Sequence, residues 1–247
     1  MSYKTKLSPD EIQALVTKAF VIEAITDKPG CTTRYIDLED LPLTGFIHAG
    51  INSAQYFRGL NANSPVYSLL FEAVKNSNWH KSKKYNNIGL LAIMFPTVIA
   101  RLRCNDPKKI VDEIINVIKS TNRQDLEDNI KAKKLAWSTS VQSKKRTLDI
   151  KDFSHCNSVW DYYLTQNEKY LNDVSVSKAS IWGWSQQHLE GLPALRAFFK
   201  AYMQEAEYMD TTKRVFEEQK ALYDYKMIGI LSDMCAAALF LYFSFTD

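Results

Sequence analysis

Apolar and polar positions alternate with a period near 3.6 along almost the whole chain, so it reads as a succession of amphipathic helices. Ser8-Pro9-Asp10-Glu11 has the form of a capping box with proline in the first helical position, which predicts a helix start. Ile12, Leu15, Val16, Ala19 and Phe20 form its inward stripe. Pro29-Gly30 predicts a stop, because proline disfavours helical geometry in Lys28 and glycine accepts positive φ. A second helix is expected over 44–60. A third is expected from Ser64-Pro65, with Val66, Leu69, Leu70, Ala73 and Val74 inward. Asn86-Asn87 leads into a run from Leu90 to Phe95 that is apolar all round, a central helix kinked or restarted at Pro96. Asp106-Pro107 reads as cap and first residue of the next helix, and residues 137–152 read as a long loop. Helices follow from Val159, over 179–190 and from Leu192-Pro193 to near 209–212; a charged one then runs to Tyr225, and a last one spans 227–245. Strand signals are nearly absent, so the expected fold class is all-α: a single-domain multi-helix bundle over 1–247 around a buried C-terminal helix.

Two carboxylates sit awkwardly in this pattern. Glu23 lies eleven residues after Ile12, and at about 100° per residue that returns it to the core-facing stripe. Burying it unpaired would cost several kcal/mol, so it needs a cation, a donor or a ligand, with Lys28 and Arg34 as candidates. The outcome is either a buried ion pair that fixes the helix end or a pocket holding both signs of charge. Asp233, in the last helix, has Gly229 one turn before it and Ala236 and Ala237 one turn after. Such small residues make room for a neighbouring backbone or for a bound group. Asn87 can cap its helix or offer phosphate or a hydrated metal a polar partner.

Composition narrows the classes. With 46% hydrophobic and 12% aromatic residues the chain can bury a large core, while 31 basic against 28 acidic residues give no basic excess that would point to nucleic acid. Cys31, Cys104, Cys156 and Cys235 have neither zinc-ligand spacing nor the density of a disulfide framework, which suits a reducing cytoplasm. The polar start lacks a signal-peptide core. Residues 227–245 approach the length of a bilayer span, but a mid-membrane Asp233 would cost about 3 kcal/mol, so a buried helix rather than a membrane segment is expected. With 8 glycines in all and no GxGxxG or GxxxxGK[ST], a glycine-rich phosphate loop is excluded. Tyr242, Phe243 and Phe245 at the extreme C-terminus leave open packing on a second copy.

Several stretches together resemble the triphosphoribosyl-dephospho-CoA synthase family, in its shorter archaeal-type branch. Its opening motif is similar to Glu23, Lys28, Pro29, Gly30 and Arg34 with Asp37 and Asp40 beyond. The second motif is matched by Asn87 and Gly89, the third by Asp210-Thr211, and the fourth by Gly229-Ile230-Leu231-Ser232-Asp233 before an alanine-rich helix. The resemblance implies an enzyme that moves the triphosphoribosyl group of ATP onto dephospho-CoA or a related nucleotide acceptor, with adenine released. It implies Glu23 and Asp233 as catalytic acids, and Lys28, Gly30, Arg34, Asn87, Gly89 and Thr211 as nucleotide-binding residues. It further implies Mg²⁺ held by Asp37, Asp40 or Asp210. Lys226-Met227-Ile228 replaces the family's Asn-Pro-Gly, and residues 136–141 lack its glycine-rich stretch, which keeps a second reading: a diverged, non-catalytic nucleotide- or partner-binding protein.

Overall fold

The computed structural model describes residues 6–36, 42–77, 87–138, 153–171, 179–205, 207–222 and 228–246, and they are helical with no strand among them. The fold is all-α. Helix α1 (Pro9–Ile25) begins as expected: Glu11 N donates to Ser8 Oγ at 3.3 Å, and Ser8 N donates to Glu11 Oε2 at 2.7 Å. It ends before the proline, at Thr26, whose ψ of 136° leaves helical space while its hydroxyl donates back to Ile22 O at 2.6 Å. Helix α2 (Leu43–Ala54) is shorter than its apolar pattern, because the chain tightens into a 3-10 turn over Gln55–Phe57.

Tertiary hydrogen bonds move two other starts. Helix α3 (Leu70–Ser77) begins well after Pro65, since Tyr67 is held from outside its own segment: its N–H donates to Asp125 Oδ1 at 3.0 Å and its hydroxyl to Ala92 O at 3.2 Å. That second bond also explains why α4 (Ile88–Arg103) runs unbroken through Pro96. Proline has no N–H to give the carbonyl four residues back, and the Tyr67 hydroxyl takes its place at Ala92. Asp106 does not cap α5 (Ile110–Lys119). Its Oδ1 instead accepts from Lys108 N at 2.9 Å, which makes a turn ahead of the helix.

Helix α6 (Arg123–Ser138) carries regular structure into the segment expected to be loop, and residues 139–152 lie outside the described ones. Helices α7 (Val159–Leu171), α8 (Ala179–Leu189) and α9 (Pro193–Gln204) follow. The chain breaks after Gln204 rather than near 209–212, and α10 (Tyr208–Leu222) takes those residues into its first turns.

Helix α11 (Ile228–Thr246) is the pillar, packed along α1, α4 and α9. It is long and apolar enough to cross a bilayer, yet most of it is buried inside the fold. Its far end is anchored by Arg101, fully buried in α4, whose Nε donates to Ser244 Oγ at 3.0 Å and whose Nη2 donates to Ser244 O at 2.9 Å. The C-terminal aromatics pack inward, Phe245 against Phe199 and Phe243 against Tyr208, with both phenylalanines buried. These two phenylalanines therefore belong to the chain's own core, while Tyr242 beside Phe243 is partly exposed.

Candidate active site

The turn after α1 brings the first acid to the near end of the pillar. Glu23 is 6% exposed and Lys28 1%, and Lys28 Nζ stands 3.1 Å from Glu23 Oε1. Lys28 also donates to the Glu23 and Thr26 carbonyls, the latter at 3.1 Å, so one ammonium both pairs the acid and closes the helix end. Burial alone would pull the Lys28 ammonium down, but Glu23 together with the nearby Cys235 and Cys31 outweighs this and raises it above the ordinary lysine value. Gly30 makes the fold-back possible twice over: its φ is +90°, and a side chain there would meet Ile228 Cδ1 at 2.9 Å, at the start of α11.

From α11, Ser232 donates its hydroxyl to Glu23 Oε1, so Lys28 and Ser232 share one carboxylate oxygen. Cys31 Sγ lies 3.9 Å from the same hydroxyl; burial, ahead of any charge, pushes its thiol up to about 11. The neighbouring Asp233 projects onto the first turn of α4. A methyl group on Gly89 would fall on Asp233 Oδ2, and it would stand 3.2 Å from Trp184 Cζ2 of α8. Burial, and then the negative charge of Glu23, raise the Asp233 carboxyl well above its ordinary value. The two acids therefore sense each other across the α1–α11 contact.

Behind them lies a buried polar layer. The Tyr202 hydroxyl is 2.7 Å from Thr212 Oγ1 and 3.3 Å from Cys235 Sγ, and burial raises the Cys235 thiol to about 12. It is Thr212, not Thr211, that reaches this layer. Thr211 is buried too, but its hydroxyl donates to Glu205 Oε2 at 2.8 Å and to the Glu207 carbonyl.

The sequence-expected residues thus divide. Glu23, Lys28, Gly30, Gly89 and Asp233 converge, and Asn87 is buried at the start of α4, whose N-terminus its side chain does not cap. Arg34 is exposed, stacked over Tyr35 at 4.7 Å, rather than drawn to Glu23. Asp210 is exposed, and Asp37 and Asp40 lie outside the described residues. Among the described residues no three acidic, histidine or cysteine side chains gather as a metal site. A Mg²⁺ ion arriving with a polyphosphate takes most of its ligands from phosphate and water. Ser232, Thr212, Tyr202 and Trp184 were not singled out from sequence. Only the phase of their helices against one another reveals them, although Ser232 stands beside Asp233 in the quoted motif.

No curated protein and no solved structure matches the chain. A family model does match over residues 9–217, so that of the converging residues Glu23, Lys28, Gly30 and Gly89 fall inside the match and Asp233 just beyond it. Since this takes in well over half of the chain, the protein belongs to the CitG family of transferases, described as ATP:dephospho-CoA triphosphoribosyl transferase.

Proposed function

We propose that the protein transfers the triphosphoribosyl group of ATP to a ribose hydroxyl of dephospho-CoA or a closely related nucleotide, releasing adenine, at the meeting point of α1, α4 and α11. The observation that carries this reading is the placement of Glu23 and Asp233, from opposite ends of the chain, within electrostatic reach of each other beside the glycine-opened start of α4. Breaking the bond between C1′ of the ATP ribose and adenine builds positive character on the sugar, which a fixed carboxylate stabilises. Glu23 suits that part, because Lys28 and Ser232 hold its Oε1 rigidly. The acceptor hydroxyl must lose a proton as it bonds to C1′, and the departing adenine must gain one. Asp233, whose carboxyl is pushed toward proton uptake by burial and by Glu23, suits the transfer of that proton. Two carboxyls with opposed surroundings thus divide the work. The absence of a Cβ at Gly89 leaves the Asp233 carboxylate its place against α4.

Incubation with ATP, Mg²⁺ and dephospho-CoA, followed by chromatography for adenine and mass spectrometry for the adduct, tests the proposal. Adenine and adduct should form in equal amounts, and Asp233→Asn should lower the rate by about a hundredfold or more, the usual contribution of a positioned acid or base. Absence of adenine above the enzyme-free control, or a folded Asp233→Asn variant within twofold of wild type, would defeat it.

A further inference from the structure

A second polar cluster lies beyond Trp184, and the acid pair does not use it. Lys133 of α6 holds its ammonium over the faces of Tyr162 and Tyr163 of α7, 4.6 Å and 5.7 Å from the ring centroids. Among the described residues no acidic group offsets its charge, and burial alone draws its pKa down to about 7. One helical turn earlier on the same face, Asn129 is 0% exposed, and neither its amide oxygen nor its nitrogen has a hydrogen-bond partner. Gln166 of α7 and His188 of α8 are each 1% exposed, with Nε2 unpartnered in both. His188 Nδ1 lies 2.7 Å from the Trp184 carbonyl, an acceptor, so Nδ1 carries the hydrogen and Nε2 presents a lone pair. Burial lowers the His188 pKa to about 4, which makes it a neutral neighbour of Lys133 rather than a second cation.

Rings join this cluster to the acid pair. The His188 ring stacks on Tyr163 at 4.2 Å and lies 5.5 Å from Trp184, whose edge abuts Gly89 beside Asp233. Each orphaned buried polar group costs about 1–3 kcal/mol, and folded proteins retain such groups where an ion, water or ligand completes them. Asn129 stands one turn before Lys133 on α6, and Gln166 one turn after the two tyrosines on α7, so unpartnered amides share the helix faces that carry a cation with no anion among the described residues. Lys28, buried beside the acid pair, has its charge matched by Glu23 and has none to spare for a polyphosphate.

We propose that Lys133, with the Asn129 and Gln166 amides, forms an anion subsite that takes a phosphate group of the nucleotide handled at Glu23 and Asp233. The identity of that nucleotide rests on the proposed transfer, whereas the subsite itself rests on the unmatched groups. Among the described residues the titratable side chains facing Lys133 are Tyr162, Tyr163 and His188; burial raises Tyr163 and lowers His188, so neither of these two changes charge between pH 6 and 8.5. The ammonium is charged below about pH 7 and loses its proton above it, so anion binding should weaken as pH rises.

The test is calorimetric titration of the full chain with inorganic tripolyphosphate at pH 6 and pH 8.5, for wild type, Lys133→Met and Lys133→Arg. The methionine variant should bind at least tenfold more weakly at pH 6 and, freed of an unmatched charge, should melt no lower than wild type. The arginine variant, charged throughout, should bind at both pH values and gain at least fivefold on wild type between pH 6 and 8.5. Equal binding by wild type and Lys133→Met at pH 6 would overturn the subsite. If the methionine variant does not fold, the arginine variant decides: a ratio to wild type that is flat in pH overturns the proposal. Lysine-dependent tripolyphosphate binding without adenine release would defeat the transfer reading alone, and unimpaired adenine release by Lys133→Met would defeat the subsite alone.

Discussion

Lys28→Met tests the central contact directly. Wild type buries Glu23 and Lys28 almost completely, at 6% and 1% exposure, with 3.1 Å between Nζ and Oε1. A methionine has the length to fill the space but leaves the carboxylate beside Asp233 with Ser232 as its remaining donor. Stripping one partner from a buried ion pair costs about 3–5 kcal/mol, because the other charge stays desolvated and unmatched. The Glu23 and Thr26 carbonyls each lose the Lys28 hydrogen bond as well, worth about 1 kcal/mol net apiece. The expected loss is therefore about 5–7 kcal/mol, a large share of the roughly 5–15 kcal/mol that holds a domain together. Urea unfolding followed by circular dichroism measures it. The double variant Glu23→Gln/Lys28→Met should recover about half or more of that loss, since the amide carries no charge and can still accept from Ser232. The two backbone hydrogen bonds from Lys28 are missing in both variants, so recovery should be incomplete. A single variant within about 1 kcal/mol of wild type would mean that the carboxylate finds water or moves, and the picture of a dry, clamped acid would fail.

Other expectations follow the same contacts. Gly89→Ala should cut transfer more than tenfold, because the new methyl displaces the Asp233 carboxylate, whereas Gly229→Ala, whose methyl meets open space, should melt at or above the wild-type temperature; equal rates for wild type and Gly89→Ala would contradict this. Tyr67→Phe should cost about 1–3 kcal/mol by orphaning the Ala92 carbonyl, and adding Pro96→Ala should return part of it by supplying the missing N–H, as urea midpoints would show. The folded-state pKa of Asp233 stands above its unfolded value near 3.9, so the native state holds that proton longer and stability falls as pH rises from about 4 toward the raised value. Asp233→Asn should flatten that fall, and an unchanged slope of stability against pH would place the shift elsewhere.

Much of the helical order was legible because amphipathic period, capping box and proline position act within a few residues of one another. The start of α1 and the inward aim of Glu23 are of that kind. The misplaced starts share one cause: a group fifty or more residues away, or a side chain bonding its own backbone, competes for the first turn. Asp125 holds Tyr67 off the helical path before α3, and the Asp106 side chain makes a turn where a cap was expected. The site divides along the same line. Glu23 with Lys28 was readable because a buried acid demands a cation and Lys28 lies five residues away. Asn129, Gln166, Lys133 and His188 were not, because each alone is an ordinary residue on a helix, and the unpartnered atoms of Asn129, Gln166 and His188 are apparent only once three helices meet.

The pillar helix ties these observations together. Its far end is fixed by Arg101 on Ser244, and its near end delivers Ser232 and Asp233 to Glu23 and Gly89 on two different helices. An apolar helix anchored at one end and packed along three neighbours has little freedom to slide. The separation of the two acids is therefore set by core packing rather than by loop conformation. That arrangement suits chemistry in which a carboxylate must stay at a developing positive charge while a second acid moves a proton, because rigid placement avoids reorganisation in the transition state. It also explains why a single glycine, Gly89, matters at the crossing: when neither helix can yield, only a missing side chain lets the carboxylate reach the start of α4.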